Sequence, residues 1–495
     1  MREIEHSHRT ANIIGIDLGT TEVRVARFNE AGKAEITNNI EGNPITPAVI
    51  QFEDEGTVII GSEAEKFLRT GCPNVFAEFK RELGTSKSWT VGSKRITPAD
   101  LTALLLKQVV ADYSDQFDQP LTIVITWPAH FRQEQRAATK EAADRAGLRA
   151  VHFIEEPIAA ALYYAQEGAL NGKYLICDLS GGTFDVTLCQ AHGTDIRILC
   201  QDGIQQLGSK DLDDALLKVI AAKFRARTGD QFDAVDCNFG NLDIQSAKKS
   251  LSTKERTSVI LVSAKHGVLR FEVTRMDFEN AIAHLISQIE MACESVLRCG
   301  SEDPFMHVMK HEIREVFMAG EIARIPAIQA SIERLFGRKP KVNCPDQAVA
   351  LGAAIYAAYK ASGGTLNALQ AQSIAHVDVY LIAPHFFGLI STNWLTREST
   401  NIPIIRKGER LPMSRTYKVN ADPRGYIPTI RLTQSAIEET NPEFVTTIWE
   451  GEFHRCAPNA EVDLVFSYDV QGTMCFSVTE VATGKCTQVD LKPGN

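Results

Sequence analysis

The chain has 495 residues, with 52 basic and 62 acidic side chains and a formal net charge of −10. This length predicts about three domains of ordinary size, and the acidic balance argues against a protein whose main affinity is for nucleic acid or an anionic membrane. With 44% hydrophobic and 23% charged residues, the composition is that of a globular protein. It excludes intrinsic disorder and collagen-like or coiled-coil architectures, and no apolar run is long enough to span a bilayer.

The amino terminus and the cysteines indicate where the protein works. Residues 1–10 are polar and charged and contain no apolar segment, so we expect no secretory signal. The 11 cysteines are scattered and include no Cys-x-x-Cys pair. This distribution favours reduced thiols over a disulfide framework or a zinc site. The sequence therefore predicts a cytoplasmic protein with no membrane or nucleic-acid partner, and we expect it to be a monomer.

From residue 12 to about residue 360, short β-branched runs alternate with helical patterns. Strands are predicted at 12–17, 121–126, 174–178 and 315–319, and helices at 98–113, 131–146, 211–227 and 242–251. This alternation is typical of an α/β fold. The sequence Ala-Ser-Gly-Gly-Thr at 361–365 then breaks the last long helix. We therefore predict an α/β domain at 12–360 and a linker at 361–383.

Towards the end of the chain the helical pattern disappears. Apolar clusters of strand length follow at 379–382, 416–419, 429–432, 462–468 and 474–479. Turn signals separate them, among them Asp-Pro-Arg-Gly at 422–425 and Gln-Gly at 471–472. We predict a mostly antiparallel β domain at 384–495 and expect it to lack a helical lid.

Two segments of the predicted α/β domain resemble each other. Gly-Ile-Asp-Leu-Gly-Thr-Thr at 15–21 and Cys-Asp-Leu-Ser-Gly-Gly-Thr-Phe-Asp at 177–185 each read as a strand, a tight Gly/Thr turn and a second strand. Glycine and threonine turns offer backbone N–H groups and hydroxyls to phosphate oxygens. Asp17 and Asp178, at the strand ends, offer carboxylates to a hydrated Mg²⁺. The pair predicts a duplicated subdomain that binds a di- or triphosphate between its halves, without a Walker A sequence.

A series of motifs resembles the 70-kilodalton heat-shock chaperones of the DnaK type. The motifs occupy 15–21, 43–49, 79–81, 127–131, 135–140, 154–161, 178–185 and 343–354, in the order of that family. The resemblance is strong over 12–360 and weak over 377–495. It implies a two-lobed, actin-like (ribonuclease-H-like) ATPase followed by a β-sandwich that binds extended apolar segments of unfolded proteins. The short β region suggests a lidless, HscC-like variant.

The resemblance also implies roles for individual residues. Asp17, Glu156 and Asp178 would surround a hydrated Mg²⁺, Lys80 would position the attacking water, and Asp185 would orient water or a monovalent cation such as K⁺. Contacts with ATP are implied for a larger set, divided between the phosphates (Gly19, Thr20, Thr21, Gly181, Gly182, Thr183) and the base and ribose (Gly208, Lys248, Lys249, Ser252, Gly320, Arg324, Asp346). Arg324 would stack on the adenine.

At several positions near the nucleotide the chain departs from the family pattern. Ser180 replaces the first glycine of the second turn, and Ser209-Lys210 replaces a glycine and a glutamate. Gln245 stands where a ribose-binding glutamate is expected, and Glu321 stands where a glycine is expected. Added side chains and charges crowd or repel a polyanion. We therefore expect weaker nucleotide binding than is usual in the family.

The resemblance implies a J-domain cochaperone and a nucleotide exchange factor as further partners. His152 and Glu155 stand where the family has an arginine and an asparagine that help to receive J-domains. Ala383 stands where the family's linker ends in an acid. We therefore expect altered or absent stimulation by J-proteins.

Two other classes of protein with different functions contain the same actin-like turns. A small-molecule kinase would need a substrate base in the cleft and would not end in a β-sandwich. A regulatory or assembly protein would bind ATP with negligible turnover, and the intact Asp17, Lys80, Glu156 and Asp178 argue against it.

Overall fold

The computed structural model describes residues 12–53, 56–68, 72–114, 121–149, 151–168, 170–237, 239–299, 308–361, 366–392, 396, 398–427, 429–435, 437–453, 455–489 and 491. The helices in these residues are α1 (Ser62–Phe67), α2 (Pro98–Ser114), α3 (Gln133–Arg145), α4 (Glu156–Glu167), α5 (Ser209–Thr228), α6 (Asn241–Thr253), α7 (Arg275–Cys299), α8 (Pro326–Phe336), α9 (Ala348–Lys360) and α10 (Ala368–Ile374). The helices predicted at 98–113, 131–146, 211–227 and 242–251 are thereby confirmed.

The strands up to α7 are β1 (Asn12–Leu18), β2 (Glu22–Phe28), β3 (Ala34–Thr37), β4 (Thr46–Pro47), β5 (Val49–Phe52), β6 (Val58–Ile60), β7 (Val75–Ala77), β8 (Trp89–Val91), β9 (Lys94–Ile96), β10 (Leu121–Trp127), β11 (Val151–Glu155), β12 (Leu170–Leu179), β13 (Phe184–Gly193), β14 (Asp195–Ile204), β15 (Arg256–Ser263) and β16 (Gly267–Thr274). Later strands are β17 (Ile313–Ala319), β18 (Asp378–Tyr380), β19 (Phe386–Thr392), β20 (Ser399–Ile405), β21 (Met413–Asn420), β22 (Ile430–Ser435), β23 (Thr446–Gly451), β24 (Glu461–Tyr468), β25 (Met474–Glu480) and β26 (Cys486–Val489).

Two large sheets repeat one arrangement. The first has the order β11-β10-β1-β2-β3, with β4 beside β2, and the second has the order β17-β12-β13-β14-β18. In each sheet an antiparallel hairpin, β1–β2 or β12–β13, lies beside a parallel strand, β10 or β17. Helices cover these sheets, so this part of the chain is α/β. The similarity between segments 15–21 and 177–185 therefore reflects a repeated structural unit.

Helices α4 and α9 pack against each other, and α9 also packs against β1 of the first sheet. A Cβ added to Gly352 of α9 would lie 1.7 Å from the carbonyl oxygen of Ala159 in α4. A Cβ added to Gly15 of β1 would lie 2.2 Å from the backbone nitrogen of Ala354. Only glycine permits such approaches, so these two residues set how closely α9 packs on its neighbours.

The carboxyl-terminal strands form a β-sandwich. One antiparallel sheet has the order β20-β19-β22-β23 and the other has the order β21-β24-β25-β26. Between them Phe466 lies with its ring centroid 5.1 Å from that of Phe387 and 4.9 Å from that of Phe476. Alternating side chains of β24 and β25 are buried in this core, as a sheet with one covered face requires.

The predicted linker contains regular structure. Helix α10 is followed by β18, which pairs in parallel with β14 of the second α/β sheet. Residues 381–383 instead bond to the segment 408–411 that precedes β21, through an isolated bridge between Ile382 and Arg410 and backbone hydrogen bonds of Leu381 and Ala383. The predicted linker therefore contacts both parts of the chain. The predicted break at 362–365 lies outside the described residues. Within the residues described above, none of the helices has the length and apolar character needed to cross a membrane.

Candidate functional site

The two Gly/Thr turns lie against each other. A Cβ on Gly181 would come 2.9 Å from the hydroxyl oxygen of Thr21, and one on Gly182 would come 2.6 Å from that of Thr20. Gly19 is also constrained, because its Cβ would lie 2.3 Å from the carbonyl oxygen of Glu22. The structure thus brings together the residues predicted to contact phosphate, and glycine is required where the turns meet.

Further contacts fix the second turn. Arg81 donates from one nitrogen to the carbonyl oxygen of Gly182 at 3.1 Å and to a carboxylate oxygen of Asp211 at 2.8 Å. A Cβ on Gly208 would lie 2.6 Å from the backbone nitrogen of Gly182. The buried Thr183 closes the turn, since its carbonyl oxygen accepts from the backbone N–H of Ser180 at 3.1 Å. Arg81 belongs to a motif that the sequence identified, but its role in holding the turn was not predicted.

Four acids form a carboxylate cluster beside the turns: the buried Glu156, Asp178 and Asp185, and the partly exposed Asp17. Within the described part of the chain, one carboxylate oxygen each of Glu156, Asp178 and Asp185 is buried without a hydrogen-bond partner. Asp178 accepts from the hydroxyl of Ser180 at 3.0 Å through its other oxygen. Unpaired buried carboxylate oxygens are costly, so this cluster favours a ligand that is positively charged or donates hydrogen bonds.

The pKa values of the cluster have one main cause. Burial raises the pKa of Glu156 to about 7, against the lowering effect of Lys80, and Asp17 and Asp185 add to the rise. Burial, together with Glu156, Asp185 and Asp17, holds the pKa of Asp178 well above its ordinary value. Burial also raises the pKa of Asp17. Neighbouring acids therefore oppose ionisation of Glu156 and Asp178, and a bound cation would relieve this repulsion.

Lys80 lies inside the cluster. Its Nζ is 2.7 Å from Oε1 of Glu156, and both side chains are buried. The same ammonium lies 5.6 Å from the ring centroid of Phe131. The residue predicted to position water is thus paired with a residue predicted to hold Mg²⁺, and nothing in the sequence indicated this pair.

Asp185 is held by a residue that the sequence did not identify. The backbone N–H of His130 donates to Oδ1 of Asp185 at 3.2 Å, and the ring Nδ1 of His130 lies 2.7 Å from the same oxygen. A Cβ on Gly203 would lie 2.8 Å from that ring nitrogen. His130 lies in the motif at 127–131, and that motif was the feature of the sequence from which its role could have been predicted.

The carboxylates suit a magnesium ion that keeps its water ligands better than one that is bound directly by several protein side chains. No group of three or more His, Cys, Asp or Glu side chains in the described ranges is arranged to hold a metal ion directly. Mg²⁺ keeps several waters and takes few protein ligands. The unpaired oxygens of Glu156 and Asp178 can accept hydrogen bonds from such waters, so the acids present suit this ion.

A second group, the lysine cluster, comprises Ser209, Asp213, Lys248 and Glu321. Lys248 Nζ lies 2.9 Å from Asp213 and 3.3 Å from Glu321, and it also donates to the hydroxyl of Ser209. That hydroxyl donates in turn to Glu321. Lys248 was predicted to contact the ribose, yet in the structure its ammonium is paired with protein groups. The departures Ser209 and Glu321 therefore contact each other.

The remaining predicted nucleotide residues lie around this cluster. Arg324 pairs with Asp346 at 2.9 Å, and the arginine side chain is 52% exposed. Lys249 is exposed on α6, and the Ser252 hydroxyl donates to the backbone of Lys248 at 3.1 Å. Gly320 has φ of 81°, and its Cβ would lie 2.1 Å from the carbonyl oxygen of Leu179. Gly320 thus joins the lysine cluster to the strand that carries Asp178.

Helix α3 connects the α/β part to the sandwich. Gln133 accepts from the backbone N–H of Met474 at 3.1 Å, and Lys140 donates to Thr473 at 2.6 Å. Arg136 is 1% exposed and donates to the carbonyl oxygen of Gln471 at 3.3 Å.

Arg136 is fixed from its own side of this interface. It pairs with the buried Glu155 at 2.7 Å and donates to the carbonyl oxygen of Phe131 at 3.0 Å. Glu155, expected from sequence to affect J-domain binding, is therefore part of the contact with the β region.

The two sheets each present a hairpin turn to one carboxylate cluster, and a β-sandwich follows them along the chain. This arrangement defines an actin-like ATPase joined to a second binding region. The family model described as "Hsp70 protein" matches residues 13–485. The chain is 31% identical over 497 residues to the chaperone protein DnaK of Thermotoga neapolitana, covering 96% of this chain and 79% of that protein. It is 29% identical over 502 residues to the chaperone protein DnaK of Thermosipho melanesiensis, covering 97% and 80%.

The chain belongs to the Hsp70 family. It is an ATP-dependent molecular chaperone, and it is an ATPase. The kinase and the regulatory protein considered from the sequence are not favoured. Members of this family bind ATP, usually with Mg²⁺, and act on unfolded polypeptides.

Proposed function

We propose that ATP is hydrolysed between the two Gly/Thr turns, with the carboxylate cluster beside its phosphates. The observation that carries the proposal is the set of unpaired, buried oxygens on Glu156, Asp178 and Asp185. With Asp17, they would hold a hydrated Mg²⁺, which neutralises phosphate charge when bound. A monovalent cation such as K⁺ would bind near Asp185.

The protein groups have separate tasks in this proposal. Thr20, Thr21, Gly181, Gly182 and Thr183, with Gly19 shaping the first turn, bind phosphate oxygens through hydroxyls and backbone N–H groups. Lys80 exchanges its contact with Glu156 for the negative charge that develops on the γ-phosphate. Asp185, held by His130, orients the attacking water.

The base and ribose lie on the other side of the cleft. Arg324, aligned by Asp346, stacks on the adenine, since a guanidinium plane suits a purine face. The wall beside the sugar is formed by further predicted residues: Gly208, Lys248, Lys249, Ser252 and Gly320.

We further propose three functional units: an ATPase domain at 12–360, a linker at 361–383 and a peptide-binding sandwich at 384–495. Contacts from Arg136, Gln133 and Lys140 to residues 471–474 support coupling between hydrolysis and peptide binding. The protein would act as a cytoplasmic monomer on extended apolar segments of unfolded proteins. A nucleotide exchange factor would assist it, while stimulation by a J-domain cochaperone would be weak.

Limited proteolysis across residues 361–383 tests the coupling, with Mg-ATP, Mg-ADP or no nucleotide and with binding confirmed by calorimetry. We expect protection by Mg-ATP alone, and loss of that protection in Gln133→Ala. Arg145→Ala is the matched control, because Arg145 lies on the same helix but pairs with Asp100 and Glu141. Identical cleavage of the wild-type chain in all three states, despite nucleotide binding, would contradict the proposal.

A further inference from the structure

The lysine cluster is built from three separate elements. Ser209 and Asp213 lie in the first turns of α5, Lys248 lies on α6, and Glu321 directly follows Gly320. Gly320 has φ of 81° and packs on the backbone of Leu179, so the backbone leading to Glu321 has little freedom. The position of the Glu321 carboxylate is therefore set by the fold as well as by its charge.

The cluster encloses its cation. Lys248 is 3% exposed and Ser209 is 1% exposed, whereas the Glu321 side chain is 20% exposed. A molecule in the cleft therefore meets Glu321 before it meets Lys248. The ammonium reaches such a molecule only if the carboxylate of Glu321 moves away.

The charges within the cluster favour the closed arrangement. Burial alone would raise the pKa of Glu321, but Lys248, Ser209 and Lys249 lower it below its ordinary value. Burial raises the pKa of Asp213 to about 6 against the effect of Lys248, and Glu321 adds to that rise. Glu321 is thus the ionised partner of Lys248, and separating them exposes two opposite charges. Glu22 and Lys210 are the other charged neighbours of these two acids.

We propose that Glu321, held by Ser209, competes with the sugar of the nucleotide for Lys248 and thereby limits nucleotide affinity. This inference rests on the proposed function, because it assumes that the nucleotide lies in this cleft. Two residues that depart from the family pattern act together here: Glu321 supplies the competing carboxylate, and Ser209 binds both Glu321 and Lys248. Removing either one should weaken the hold of Glu321 on Lys248, which keeps its ion pair with Asp213.

Calorimetry with ADP and with adenosine tests the proposal, each in the presence of Mg²⁺, on the full chain. Breaking one partly buried contact between a lysine and a carboxylate corresponds to about a tenfold change in affinity. We therefore expect Glu321→Ala to bind both ligands about tenfold more tightly than the wild type, and Ser209→Gly to show a smaller gain. Glu321→Gln keeps the shape but loses the charge, so its gain should lie between that of Glu321→Ala and no change.

The control is Glu312→Ala, which removes another paired glutamate, bound to Lys173 at 2.7 Å, away from the cleft. It should leave both affinities unchanged. If Glu321→Ala tightens ADP but not adenosine, Glu321 merely repels phosphate, and the proposal is wrong. Weaker binding of both ligands would also overturn it, because Glu321 would then contact the sugar itself. If ADP binds neither the wild type nor Glu321→Ala, the proposed nucleotide site fails, and this inference fails with it.

Discussion

The two sides of the cleft differ in how their buried charges are satisfied. On the phosphate side, Glu156, Asp178 and Asp185 each keep a buried oxygen without a hydrogen-bond partner among the described residues. On the sugar side, Asp213 Oδ1 also accepts no hydrogen bond from a described residue, but it lies 2.9 Å from the ammonium of Lys248, which is surrounded by Asp213, Ser209 and Glu321. Binding of a cation and phosphates therefore stabilises the phosphate side. The sugar side has already satisfied its lysine, so we expect the phosphate side to supply most of the affinity for nucleotide.

The largest expected effect is on the sugar side, in the variant Lys248→Met. Removing the cation leaves the buried Asp213 beside the partly exposed Glu321 without a counter-charge, and an uncompensated buried charge typically costs about 3–5 kcal/mol. We expect the midpoint of denaturant unfolding of the α/β part to fall accordingly. Lys248→Met combined with Glu321→Gln should recover part of that loss. A Lys248→Met variant as stable as the wild type would show that the cluster contributes nothing to the fold.

On the phosphate side, Asp178→Asn should have opposite effects on stability and activity. The amide keeps the acceptor for Ser180 but removes a charge that Glu156, Asp185 and Asp17 oppose. We expect the apo protein to gain about 1 kcal/mol in stability, while Mg²⁺-dependent ATP hydrolysis falls about 100-fold. Thermal melting and phosphate release measure the two effects. A loss of stability would mean that the carboxylate is satisfied in a way not described above.

The stability of the contact between the α/β part and the sandwich should depend on pH through the protonation of His385. Burial, with Arg136 and Lys407, holds the pKa of His385 well below its ordinary value, and its Nε2 lies 3.4 Å from the carbonyl oxygen of Phe131. A histidine with a lowered pKa contributes stability above its unfolded pKa of about 6.5 and loses it as pH falls.

We therefore expect the free energy of unfolding to decrease below about pH 6.5, by at most about 1.4 kcal/mol per pH unit for this one group. Denaturant unfolding at several pH values measures this slope. It should be smaller in His385→Gln, and equal slopes in the two proteins would assign the pH dependence to other residues.

The smallest expected effect is that of Arg324→Ala. Arg324 is half-exposed and its ion pair with Asp346 is at the surface, so the stability should change by less than about 1 kcal/mol. If the guanidinium stacks on adenine, affinity for Mg-ATP should fall several-fold. Affinity for Mg-pyrophosphate, which has no base, should not change, and an equal loss for both ligands would place Arg324 near the phosphates instead.

The sequence predicted the phosphate side well because its signals are local. Each turn is encoded within about ten residues, and the strands at 12–17 and 174–178 form where the apolar runs indicated. The α/β class and the sandwich followed from the same periodicity. Strand β14 and the strand pair β15–β16 were not predicted, although the alternation of β15 and β16 was present in the sequence.

The sugar side could not be predicted in the same way. Ser209 and Glu321 are 112 positions apart, and nothing local indicates that they touch. The pair formed by His130 and Asp185 also joins distant segments. The resemblance assigned Lys248 to the nucleotide, but it gave no information about the contact of Lys248 with Glu321, a carboxylate that departs from the family pattern. When two residues that both depart from a family pattern contact each other, that contact can be identified only from the folded structure.

The most direct test of the difference between the two sides is calorimetry of the wild-type chain with three ligands: Mg-ADP, Mg-pyrophosphate and adenosine. We predict that Mg-pyrophosphate retains most of the binding free energy of Mg-ADP, and that adenosine binds much more weakly than either. Adenosine binding as tightly as Mg-ADP, with no detectable binding of Mg-pyrophosphate, would contradict the account, because the affinity would then reside on the side where Lys248 is already paired.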